Sequence, residues 1–277
     1  MADIWNVICY PIIFVSVPFL AGAVSFSVLF FIYTIAAELA GSAMSSEEIG
    51  DIVANIDLSF LVVVSALLVF MIVWLKHRNE WKRNNFWRVS NSDVHGIVMC
   101  ALVGVALSCF KNGFFHFTGL LPAYLDLIEV RFNTHIAFQI LIMVILTPAL
   151  NEIIFRGIVL RRLLRMSINF HLANVIQALL VASLSFSTFQ GTYAFFGGII
   201  FGLAYAKFKT IWAPIIMHIL FSFGSVIIFN AQIHYALEIS DTLTAVLTAV
   251  SAFIIGLFIY RVRKTGMPND EGQIDVE

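Results

Sequence analysis

A chain of 277 residues that is 60% hydrophobic and only 12% charged, with a mean hydropathy of +0.94, is too apolar for a soluble globular domain, where apolar usage is about 45–50%. Its composition is that of a polytopic membrane protein. The formal net charge of −1 carries no signal of a nucleic-acid or acidic partner; what matters is where the charges sit along the chain. Cys9, Cys100 and Cys109 have neither paired nor metal-ligand spacing, so they read as small packing residues. Met1 to Trp5 lack Lys and Arg, and the apolar run after them is overlong for a signal-peptide core, so no cleavable signal is expected.

A spanning helix needs about 20 mostly apolar residues. The hydropathy predicts eight, at 8–39, 57–75, 94–110, 134–160, 171–189, 193–206, 211–231 and 242–260. The first is long and contains Pro11 and Pro18, which predicts a tilt or kink. The sixth is short and reads as a partial span, with Gly197, Gly198 and Gly202 allowing neighbouring backbones to approach. Neither a soluble domain nor an internal repeat interrupts the series. The chain therefore reads as one membrane domain, 1–265, followed by a tail, 266–277, with no apolar run and the composition of a disordered segment.

Charge asymmetry orients the domain. With the amino terminus in the cytoplasm, the inner loops collect Lys76, Arg78, Lys82, Arg83 and Arg88, then Arg161, Arg162 and Arg165, then Lys207 and Lys209, then Arg261, Arg263 and Lys264. Only Lys111 and Arg131 fall outside, so both termini are expected inside. Glu47, Glu48, Asp51, Asp57, Asp126, Glu129, Glu238 and Asp241 lie in the opposite loops.

The fourth span carries the chemistry. In TPALNEIIFRGIVLRRLLR, Asn151, Glu152 and Arg156 interrupt an apolar helix. Glu152 and Arg156 are four apart, with the acid toward the amino end, the favourable order for a pair on one helix face. Such a pair serves either to lock two helices together or to build a functional site. Further polar residues occur elsewhere: Gln190 closes the fifth span in FSTFQ, while His218 and, one turn later, Ser222 sit in the seventh in APIIMHILFS. Together they suggest one shared polar cavity. His95, His116, His135, His171 and His234 scatter toward span ends without ligand spacing, so neither a metal nor another cofactor is expected. A serine nucleophile drawn from Ser222, Ser185 or Ser187 lacks the Gly-x-Ser-x-Gly turn.

The order NEIIFRG, FSTFQ, APIIMHILFS resembles the three motifs of the CAAX prenyl protease and bacteriocin-processing family of glutamic intramembrane endopeptidases, also called the abortive-infection family. Its first motif is Glu-Glu-x-x-x-Arg, its second Phe-x-x-x-His and its third His-x-x-x-Asn or a near variant. Glu152, Phe155, Arg156, Gly157, Phe186, Pro214 and His218 match, over roughly residues 134–231. The resemblance implies an all-α bundle of about eight transmembrane helices, like a CAAX protease, around a conical cavity formed chiefly by spans four to seven. The implied partners are the lipid bilayer and a peptide or membrane-protein segment.

Three positions depart from the pattern. Asn151 stands where the family has its first Glu, Gln190 where it has the second-motif His, and Ser222 where it commonly has Asn. In the family's proposed mechanism that Glu and that His hold and deprotonate the attacking water. An amide hydrogen-bonds water but does not take its proton at neutral pH. The resemblance then implies that Glu152 and Arg156 organise the helix face, and that His218, assisted by Ser222, keeps the donor position for an oxyanion. The favoured reading is a scaffold with weak or lost proteolysis, acting in peptide or membrane-protein binding or bacteriocin immunity at a bacterial plasma membrane. Two alternatives stay open: an active endopeptidase using Glu152 and His218, and a small-solute transporter or channel.

Overall fold

The computed structural model describes residues 2–39, 45–54, 59–83, 94–129, 137, 140–185, 187–234 and 240–264. Phe186, Asp57, Arg88, Arg131, His135, Glu238 and the tail 266–277 lie outside them. Among the described residues there is no strand, and ten helices succeed one another. These are α1 (Ala2–Leu39), α2 (Ser46–Ala54), α3 (Ser59–Arg83), α4 (Val94–Phe117), α5 (Leu121–Glu129), α6 (Ile140–Arg165), α7 (Phe170–Ser183), α8 (Thr188–Phe208), α9 (Trp212–His234) and α10 (Asp241–Lys264). All but α2 and α5 overlay the eight expected spans in order, because sustained hydropathy is the strongest signal a membrane sequence carries. Segment His95–Phe117 and helices α6 and α10 are each long and apolar enough to cross a membrane. The protein is an integral membrane protein, all-helical among the described residues apart from turns and connections.

Two boundaries differ from expectation. The chain breaks at 184–187, not at 190–192, so α8 is a full 21 residues and the short sixth span disappears. Ser187 explains the shift: its backbone is extended and its Oγ accepts the Gln190 N–H at 3.1 Å, an N-cap that starts the new helix. Asn169 does the same for α7 by accepting from Leu172 N at 2.9 Å, and Lys209, in the left-handed region at φ 50°, closes α8. α1 runs as one helix through Pro11 and Pro18.

Packing makes α6 the centre of the bundle. Of its most apolar window 61% is buried, against 22% for α10, so α6 is a core helix while α10 turns a row of exposed apolar residues, Val246, Val250, Phe253 and Leu257, toward lipid. From α6, Ile153, Ile154, Phe155 and Ile158 join Val103 of α4, Phe201 of α8 and Met217 of α9 in one continuous apolar core. α9 packs against α4 and α6, α10 against α4, and α7 against α8. Small residues allow these approaches, since lipid supplies no hydrophobic drive between helices. Gly104 of α4 lies against the Met217 carbonyl of α9, and Gly202 of α8 makes room for the Asn174 side chain of α7. Gly198 meets Ala178 in the same seam, whereas Gly197 lines the cavity instead of a helix contact.

α6 is not uniformly α-helical. Its turns at Ile140–Leu146 and Phe155–Leu160 are π-helical, flanking the α segment Thr147–Ile154. Pro148 lacks the N–H that would continue the ladder into the preceding turn, and the second π turn carries Arg156. Each extra residue per turn rotates the downstream side chains about the helix axis, a device common beside functional sites.

Candidate functional site

A cavity of about 460 Å³ opens between α4, α6, α8 and α9, and Asn151, Arg156, Gln190, His218 and Ser222 all line it. Residues from three separate sequence regions thus meet around one space. Gln190 reaches it from the first turn of α8, not from the end of the fifth span where the sequence placed it. Phe186, the aromatic partner in that motif, lies outside the described residues.

Glu152 stands behind the wall. It is fully buried, at 0% exposure, and its Oε1 accepts from Arg156 Nη1 at 3.1 Å, which is the expected pair. The same oxygen lies 2.7 Å from His218 Nδ1. A carboxylate only accepts, so Nδ1 carries the proton and donates, and the ring's Nε2 remains for the cavity. Oε2 has no hydrogen-bond partner among the described residues. Glu152 therefore positions both Arg156 and His218 without facing the cavity itself.

Arg156 is held from its other side as well. Nη2 donates to the Gly198 carbonyl at 2.8 Å, and the guanidinium lies 5.5 Å from the centre of the Phe201 ring. Phe201 in turn stacks on His218, with centroids 4.7 Å apart and planes 27° apart. The imidazole is clamped between a carboxylate at Nδ1 and an aromatic face. Gly198 O also accepts from Gln177 Nε2 at 2.9 Å; that amide donates again to Asn174 Oδ1 at 2.8 Å, and Asn174 Nδ2 donates to Ile199 O at 3.1 Å. This chain of amides ties α7 to α8 under the arginine. Sequence reading missed both amides, although two of them at i, i+3 in an apolar span are a detectable sign of an interhelical hydrogen-bond seam.

Lys111 corrects an expectation. The sequence put it in an outer loop, because it follows an apolar run and precedes Asn112. In the structure it sits within α4, 9% exposed, and lines the same cavity. Its hydrocarbon stem lets a cation sit deep in an apolar helix when polar atoms meet its head.

Because Ser222 lines the cavity one turn beyond His218, Ser222→Cys should react with a small water-soluble thiol reagent. In a background with Cys9 and Cys109 replaced, Cys100, at 0% exposure, should stay protected under the same conditions. Equal protection of both, read by mass shift, would mean that water does not reach the cavity.

The fold and the cavity define a polytopic helical membrane protein with a mostly apolar chamber, carrying a few polar groups, inside its bundle. Residues 133–224 match the family model described as type II CAAX prenyl endopeptidase Rce1-like. This segment holds all six cavity and pair residues named from the motifs, and over it the match agrees with the resemblance read from them: residues 133–224 are similar to an intramembrane protease-like scaffold of the CAAX-protease kind. Neither the curated proteins nor the solved structures offer a match.

Proposed function

We propose that the protein is an intramembrane endopeptidase scaffold whose water-activating pair has been replaced, and that it binds a peptide or the apolar segment of another membrane protein. One observation carries this reading. The ionisable Glu152 is buried and committed to Arg156 and His218, while the positions that face the cavity beside His218 are the amides Asn151 and Gln190. The wall thus offers hydrogen bonds to a backbone without a carboxylate base. Predominantly apolar lining suits apolar side chains, and Nε2 of His218, an acceptor while Nδ1 donates to Glu152, suits a backbone N–H. The scaffold acts as one membrane domain, 1–265, with both termini cytoplasmic, and in a bacterial plasma membrane bacteriocin immunity is a role that binding without cleavage would fill.

A second reading has its own support. A histidine held at Nδ1 by a buried carboxylate is oriented as a general base, with Nε2 toward the substrate. That arrangement would make a slow hydrolase of Glu152 and His218, with His218 and not Glu152 taking the proton.

Purified protein in detergent, offered a panel of labelled apolar peptides, separates the two. Binding without cleavage is the expected result. Cleavage that disappears in both Glu152→Ala and His218→Ala would select the second reading. Absence of both binding and cleavage would count against a peptide cavity and return attention to solute transport.

A further inference from the structure

Lys111 is a cavity charge that the motifs leave unexplained. It lies outside the segment that matches the family model, residues 133–224, and is nine-tenths buried. An ammonium carries three N–H donors. Nζ donates to Tyr124 Oη at 3.1 Å and to Ser225 Oγ at 2.9 Å, and Ser225 is oriented to accept because its own hydroxyl donates to the Phe221 carbonyl at 2.7 Å. Three ring centres surround the head: Tyr193 at 5.0 Å, Phe221 at 5.1 Å and Tyr124 at 5.2 Å. Each of these partners is neutral. Among the described residues no carboxylate lies within ion-pairing distance of Nζ.

Aromatic faces offset part of the desolvation of a buried cation, but a counter-anion offsets far more. Arg156, the other buried cation on the wall, already has its anion in Glu152. Lys111 opens onto the space shared with Asn151 and His218, so a bound molecule can supply the anion it lacks.

We propose that Lys111, ringed by Tyr124, Tyr193 and Phe221, is an anion subsite that takes a carboxylate of the peptide bound in the cavity. The inference rests on the peptide-binding reading and adds the chemistry of one ligand group to it. A carboxylate fits better than a phosphate group: a single cation with apolar walls matches one negative charge, whereas a phosphate would leave a second charge uncompensated. Ser225 and His218 are seven residues apart on α9, about 10 Å along the axis. The carboxylate is therefore held about 10 Å from the peptide group at His218, and it comes either from the chain terminus or from an acidic side chain.

The full chain in detergent micelles tests this with three dye-labelled hexapeptides of Leu, Val and Ala: a free acid, a terminal amide, and an amide with one internal Glu. At least one carboxylate form should bind about tenfold or more tighter than the plain amide, and which one it is identifies the source. Lys111→Met should collapse that difference, and Lys111→Arg should retain much of it. Equal affinity of all three peptides for the unaltered protein would overturn the subsite while leaving peptide binding intact; that comparison needs no variant to fold. Equal weakening of all three by Lys111→Met, with no change in their ranking, would assign Lys111 to packing. Binding of none would overturn the peptide reading itself, and the subsite with it.

Discussion

Glu152→Gln is expected to destabilise the protein by about 3–5 kcal/mol, the usual effect of removing one partner from a buried ion pair. The glutamine keeps an oxygen to accept from Arg156 but loses the charge, and Arg156, 1% exposed, is left as a cation whose partners, that oxygen, the Gly198 carbonyl and the face of Phe201, are all neutral. His218 loses its carboxylate anchor in the same step. In a chain of this size the loss corresponds to a fall in melting temperature on the order of 10 °C. Glu152→Gln combined with Arg156→Met should recover a large part of it, because the double change removes the unpaired charge and leaves an apolar side chain in an apolar core. Thermal melting in detergent checks both. An unchanged melting temperature in the single variant would mean that the pair contributes nothing to holding α6 in the bundle.

The Glu152–Arg156 pair was legible in the sequence, because i, i+4 spacing and charge order follow from helix geometry alone. So was the order of eight apolar helices, since a membrane span must satisfy its own backbone and is long and apolar as a result. What was not legible depended on contacts between helices. Lys111 has the sequence signature of a loop residue; only the hydroxyls of Tyr124 and Ser225, from α5 and α9, make it an interior one. The break between α7 and α8 was expected at 190–192, and the Ser187 N-cap moved it earlier by a few residues. The position of Gln190 in the cavity survived that shift because the first turn of α8 still faces α6. The rotation introduced by the π turns of α6 has no sequence signal at all apart from Pro148.

The arrangement also orders the parts of the site by function. Glu152, Arg156, Phe201, Gln177 and Asn174 form a buried frame that fixes one imidazole, and that frame keeps the second Glu and the Arg of the first motif. The departures from the motifs lie on the cavity face, at Asn151, Gln190 and Ser222. A charged frame behind a neutral face is the arrangement that the proposed binding without turnover requires.

Asn151→Glu combined with Gln190→His should therefore raise peptide cleavage by about 10²–10⁴-fold, the range that a positioned general base supplies. Both side chains line the cavity that holds His218, so a carboxylate and an imidazole placed there would meet a water and a peptide carbonyl in one space. Arg156, on the same wall, would partly compensate the added negative charge. Each single substitution should do far less than the pair, because groups that act as a unit on one water are not additive. Adding His218→Ala to the double variant should remove most of the gain if His218, carrying a second proton at Nε2, donates to the developing oxyanion, a loss of about 10²–10³-fold. Single-turnover cleavage of the same labelled peptides measures all of this. A double variant that melts like the unaltered protein, binds peptide and still cleaves nothing would show that the cavity has lost the geometry of catalysis as well as its base. The protein would then be a binding chamber built on a protease frame, and restoring chemistry would require moving helices as well as exchanging side chains.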